Sequence, residues 1–163
     1  MKVRDLTVMA LLGAVLYVGQ VGMAFLPNIE VVSVLILVYT LTLGRKALFP
    51  VSAFILLEGT TFGFGLWWFT YLYIWYVWYL AVRLMRRNES VLMWAAAAGF
   101  YGLSFGALCA IPYLFAGGTG AALAWWTAGL FFDILHCAGN FVTTLILYRP
   151  LMRVMAYIKE ALD

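Results

Sequence analysis

Long stretches without a charge constrain this chain more than any motif in it: residues 6 to 29, 59 to 82 and 90 to 132 contain no Asp, Glu, Lys or Arg. A soluble domain of 163 residues covers itself with charge, and neither the 66% apolar content nor the 10% charged content found here fits one. The chain therefore reads as an all-α integral membrane protein. A hydrocarbon core about 30 Å thick takes roughly 20 apolar residues per helix, so about six spans with short connections use the whole of residues 1–163 as one domain. No room is left for a separate soluble unit.

Breaks in hydrophobicity place the helices at roughly 5 to 26, 29 to 43, 46 to 63, 67 to 85, 91 to 115 and 120 to 148, followed by a basic tail. Turn residues mark the same points: Pro27-Asn28, Gly44-Arg45-Lys46, Gly63-Phe64-Gly65, Arg86-Arg87-Asn88 and Gly117-Gly118-Thr119-Gly120. The second segment is short and has Glu30 at its start, so it is expected to cross with little tilt or to reach only part of the way. The N-terminus opens like a signal peptide, but its apolar run continues to about Leu26 without the small-residue pattern of a cleaved leader. A retained first helix is the expectation. Cys109 and Cys137 both sit in apolar runs and are expected to be packing residues, too few for a disulfide framework.

The basic residues follow one alternation. Lys2 and Arg4 precede the first helix, Arg45 and Lys46 join the second to the third, Arg83, Arg86 and Arg87 lie at the fourth-to-fifth junction, and Arg149, Arg153 and Lys159 follow the sixth. The other three connections hold none of the 10 basic residues. Because Lys and Arg of short loops concentrate on the cytoplasmic side, this pattern predicts a compact bundle of six transmembrane helices with the N- and C-termini cytoplasmic. The expected location is the bacterial plasma membrane. A net charge of +3 then reflects contact with anionic lipid and implies no nucleic acid partner.

Ionisable groups within spans are expensive and face a cavity or one another. In FFDILHCAGN, residues 131 to 140, steps of 100° per residue bring Asp133, His136 and Asn140 within about 60° of one another, with Trp126, Gly129 and Thr144 on the same stripe. One reading has this trio lock helices together, Asp133 pairing with His136 and Asn140 with a neighbouring backbone. The other has it receive a ligand, since it lies in the outer half of the last helix. A second concentration is LLEGTTFGFGLWWFTYLYIWYVWYL, residues 56 to 80, where Glu58 ends the third helix and Trp67, Trp68, Tyr71, Tyr73, Trp75, Tyr76, Trp78 and Tyr79 crowd the fourth. Interfacial belts take some of these rings; the remainder divide between packing and a pocket where they stack on a flat ligand. Asn28 and Glu30, in the outer PNIE connection, form a third candidate, and Gln20 a weaker one.

Ala10, Gly13 and Ala14 make a smooth patch on the first helix on which another helix can lie close; Gly59/Gly63 and Gly102/Gly106 repeat the spacing. No GxxxxGK[ST] loop, HExxH or paired-Cys motif is present, so neither ATP hydrolysis nor other enzymatic chemistry is expected of the chain itself. No metal site is supported by spacing around His136, the one histidine, and no cofactor is expected.

Six short helices, AxxxA on the first of them and an outward polar cluster without an energy source resemble the substrate-binding S component of energy-coupling factor (ECF) importers. The strings LPNIEVVSVLILVYTLTLGRKAL, EGTTFGFGLWW and FDILHCAGNFVTTLILYRPL carry the likeness over essentially the whole chain. The resemblance implies capture of a small water-soluble vitamin or precursor at the outer face, more readily a flat heterocycle, and delivery through a transmembrane T component driven by two ATPase subunits. It implies substrate contacts at Asn28, Glu30, Glu58, Trp67, Trp68, Tyr71, Asp133, His136 and Asn140, and a T-component interface on the Ala10/Gly13/Ala14 face. A structural or assembly bundle without transport, and a small channel, stand as the alternatives.

Overall fold

The computed structural model describes residues 3–162; Lys2, one of the basic residues used for orientation, lies outside them. All regular structure among the described residues is helical: α1 Val3–Gly22, α2 Val32–Leu43, a 3-10 turn Gly44–Ala47, α3 Leu48–Phe62, α4 Leu66–Leu84, α5 Val91–Cys109 and α6 Ile111–Leu162. Four segments are long and apolar enough to cross a membrane, Val3–Gly22, Val32–Phe62, Val91–Cys109 and Ile111–Glu160. Large apolar side chains point outward along them, for example Leu11, Phe100 and Ile146. Such a surface is compatible with a membrane protein and would be a liability in water.

The sequence VSVLILVYTL is apolar all round, and a helix of that kind belongs in an interior. Accordingly α2 runs through the middle of the bundle against α1, α4 and α6, with Val32 through Thr40 all buried. At 12 residues it is only about 18 Å long. Its neighbours cover it, so it need not reach both faces of a bilayer by itself. Gly44, at φ 60°, then stops the helix and lets the chain turn into α3.

In the last third of the chain the reversal falls inside the predicted turn at Gly117–Gly120, while the helix boundaries around it differ from the expectation. Hydrophobicity and turn residues predict a fifth helix to residue 115 and a loop at 117–120; instead α5 ends at Cys109, residues 111–117 are helical, and the reversal is confined to Gly118, the only residue there with non-helical angles (φ 75°). The rings of Tyr113 and Trp125 stack across this reversal with centroids 4.1 Å apart. The basic tail is not a trailing end either. It continues α6 through Pro150 to Leu162, burying Met155 and Leu162 while Arg149, Arg153 and Lys159 stay exposed.

Glycines set two of the helix contacts. On α5, a Cβ at Gly102 would come within 2.7 Å of the His136 carbonyl oxygen, and one at Gly106 would collide with the Asp133 carboxylate. Bare backbone there lets α5 and α6 run antiparallel in close contact. On α1, a Cβ at Gly13 would meet Ala53 Cβ at 2.8 Å and the Pro50 carbonyl oxygen at 3.1 Å. The part of the predicted partner patch formed by Gly13 is therefore already covered by α3 of the same chain, whereas Ala10 is exposed and Ala14 half-buried.

One end of the bundle collects the cations. Lys46 Nζ lies 3.6 Å from Asp5 Oδ2, Arg4 Nη2 donates to the Leu162 carbonyl at 2.8 Å, and the Arg83 guanidinium lies beside Gly44. The start of α1, the α2–α3 junction, the end of α4 and the end of α6 thus meet at the same end.

Candidate functional site

Away from the basic end, the polar stripe of α6 faces inward. Asp133, His136, Asn140 and Thr144 recur at helical spacing and are all buried. Asp133 and His136 do not pair with each other. Each finds its partner on a different element: Asp133 Oδ1 accepts from the Gly106 N–H at 2.9 Å, His136 Nε2 lies 3.3 Å from Glu30 Oε1, and Asn140 Nδ2 donates to Ser33 Oγ at 3.1 Å.

Glu30 is placed by local geometry. Its Oε2 accepts from the Ser33 N–H at 2.8 Å, which sets the carboxylate against the positive end of α2. Burial alone would push the Glu30 carboxyl up, but the His136 imidazole and the Ser33 donors outweigh it and leave the group below its ordinary value. Two residues earlier, Asn28 sits at φ 56°, a conformation asparagine tolerates, and its Nδ2 donates to the Phe132 carbonyl at 3.0 Å. The PNIE connection is thereby tied down onto α6.

Beside this sealed layer lie three hollows with common walls. The first, about 320 Å³, is lined by Asn28, Phe105, Gly106, Trp125, Phe132 and Asp133 among others. The second, about 200 Å³, shares Phe105, Cys109 and Trp125 with it and adds Trp67, Thr70, Tyr71 and Tyr113. The third, about 280 Å³, shares Trp67 and Tyr71 with the second and is closed by Gln20, Phe62 and Glu58. No Lys or Arg of the described residues lines any of them. A larger hollow of about 500 Å³ between α4 and α5 has walls such as Val77, Ala81, Met93 and Phe100, and lacks the convergent polar groups of a specific site.

Of the residues singled out in the sequence, Asn28, Glu58, Trp67, Tyr71 and Asp133 line these hollows. Glu30, His136 and Asn140 stand behind them in the hydrogen-bonded layer, lining none. Trp68 serves local packing, its Nε1 donating to the Ile55 carbonyl at 2.9 Å and its ring meeting Phe64 edge-on over Gly59. Gln20 reaches Tyr71, its Nε2 donating to the phenol oxygen at 3.3 Å. Four residues of the wall, Phe105, Gly106, Tyr113 and Trp125, are not marked as site residues by the sequence. Periodicity points to Trp126, which is exposed and lines none of the three hollows, because it measures facing relative to Asp133 and not to residues 111–117, whose Tyr113 stacks on the equally exposed Trp125.

Buried polar atoms without a partner occur in the layer behind the hollows, at His136 Nδ1, Asn140 Oδ1 and Thr144 Oγ1, and also along the hollows themselves. Glu58 Oε1, Gln20 Oε1 and Asp133 Oδ2 belong to residues lining the hollows, and each such atom costs about 1 to 3 kcal/mol when left unpaired. Among the described residues no group of three His, Cys, Asp or Glu side chains is placed to hold a metal. The chain matches no protein-family model, no curated protein and no solved structure.

Proposed function

We propose that the chain is a substrate-capturing S component of an ECF-type importer: a six-span bundle with both termini cytoplasmic, which binds a small water-soluble vitamin or precursor at the outer face and passes it on through a T component and two ATPases. One observation carries the reading. Aromatic rings and unpartnered carboxylates converge on hollows remote from the cluster of cations that the positive-inside rule puts in the cytoplasm. Aromatic walls suit a flat solute, and unpaired acceptors suit its donors. The exposed Ala10 and half-buried Ala14 on α1 are what remains of the smooth face for a T component.

The test is mass spectrometry of what co-purifies with the protein from cells expressing it, followed by binding of a vitamin panel in detergent. Co-purification of a heterocycle and of T-component and ATPase subunits is expected, with the subunits lost in Ala10→Trp/Ala14→Trp. An empty protein that ignores the panel and draws down no subunits would refute the proposal. The bonds that Asp133, His136 and Asn140 make to Gly106, Glu30 and Ser33 favour a second reading, a bundle whose polar groups serve only to lock helices. That reading predicts neither ligand nor partner subunits.

A further inference from the structure

The charge balance of the hollows goes further than their shape. Glu58 is 4% exposed and Asp133 3%, yet among the described residues Glu58 finds no hydrogen-bond partner for its buried Oε1 and Asp133 has one oxygen unpaired. The carboxylates closing the first and third hollows face walls of Trp67, Tyr71, Phe105 and Trp125, and no basic side chain of the described residues lines any of the three. The other buried carboxylate of this region, Glu30, is already matched by His136 and by the Ser33 N–H. The Asp5 carboxylate at the far end has Lys46. Among the buried carboxylates of the described residues, the two beside the hollows are the ones with no basic side chain within 4 Å.

We infer that the captured solute is an organic cation, a flat ring bearing a fixed positive charge or a protonated amine, held with its charge against Glu58 and its ring among Trp67, Tyr71 and Trp125. The inference rests on the capture reading above and adds the sign of the ligand's charge. Its chemistry is general. A carboxylate held out of water is stabilised by a mobile counter-charge, and the electron-rich faces of tryptophan and tyrosine attract the same cation once it is desolvated. A carboxylated or phosphorylated solute would bring its negative charge beside two buried acidic side chains, with no basic side chain of the described residues lining the hollows to offset it. Asp133, anchored through Gly106, supplies a second acceptor at the far side for a ring amine or hydroxyl. Glu58 has no such anchor and is the group that discriminates charge.

Matched probes separate charge from shape. Binding of 1-methylnicotinamide, nicotinamide and nicotinate, and of benzyltrimethylammonium, benzyl alcohol and benzoate, is measured on the purified full chain by calorimetry and by quenching of tryptophan fluorescence. The cation of each set is expected to bind at least about tenfold more tightly than its neutral and anionic counterparts. Glu58→Gln, which preserves shape, should remove that preference, and Trp67→Leu should weaken the cation while leaving the bundle folded. Equal or tighter binding of a neutral or anionic member, or an unchanged preference in Glu58→Gln, overturns the charge assignment and leaves capture itself standing. If none of the six probes binds and the protein carries no solute from the cell, both the charge assignment and the capture reading fall.

Discussion

At the scale of single residues the buried polar groups divide into two kinds, and the division predicts opposite mutational behaviour. His136 and Glu30 hold each other at 3.3 Å inside the protein, so removing one leaves the other buried and unpaired. His136→Ala is expected to cost about 3 kcal/mol or more, read as a large fall in the thermal midpoint. Glu58 makes no such bond among the described residues, and Glu58→Gln should leave that midpoint unchanged or raise it while altering ligand binding. A similar midpoint loss in both variants would show that Glu58 has a structural partner after all. The same pair gives a pH dependence with a definite sign. Glu30 titrates below its usual 4.5, so its contribution is complete above that value and is lost as pH falls through the lowered one. Thermal midpoints of wild type and Glu30→Gln, compared from pH 7 down to about pH 3, should converge in acid.

Among the elements, the α5–α6 pair is the one whose geometry depends on backbone without side chains. A methyl group at Gly102 would press on the His136 carbonyl at 2.7 Å, and backbone cannot swing aside. Gly102→Ala should destabilise by about 1 to 3 kcal/mol. Gly129, with nothing within 4 Å of an added methyl, serves as the control, where alanine should be neutral or stabilising by up to about 1 kcal/mol. Chemical unfolding of the two variants in mixed micelles decides between them; equal effects would mean that helix propensity, not close approach, governs α5. These elements also show what sequence can and cannot carry. Turn residues and apolar runs locate α1 to α4 to within a few residues, and 100° spacing puts Asp133, His136 and Asn140 on one face. Periodicity says nothing about partners from elsewhere in the chain. Glu30 meeting His136, Ser33 meeting Asn140 and Trp125 folding back on Tyr113 depend on the tertiary arrangement and on a reversal confined to Gly118, which the four-residue stretch Gly117–Gly120 does not single out.

For the molecule as a whole, the polarity of its two ends ties orientation to function. Contacts at the start of α1, the α2–α3 junction and the end of α6 draw Arg4, Lys46 and the C-terminal segment together, while the hollows lie toward the other end. If the positive-inside rule orients this bundle, the hollows open outward and both termini are cytoplasmic. If the rule fails here, the carboxylates of Glu58 and Asp133 face the cytoplasm and outward capture is impossible with the same coordinates. Orientation is therefore the prediction with the widest consequence, and it is accessible in intact cells. Cys109 and Cys137 are replaced by alanine, and single cysteines are introduced at Thr119, at the α5–α6 reversal, and at Lys159, in the basic tail. A membrane-impermeant maleimide added to whole cells should label position 119 and not position 159, and permeabilisation should expose position 159. The opposite pattern would invert the bundle and remove the basis for import from outside, whatever the hollows bind.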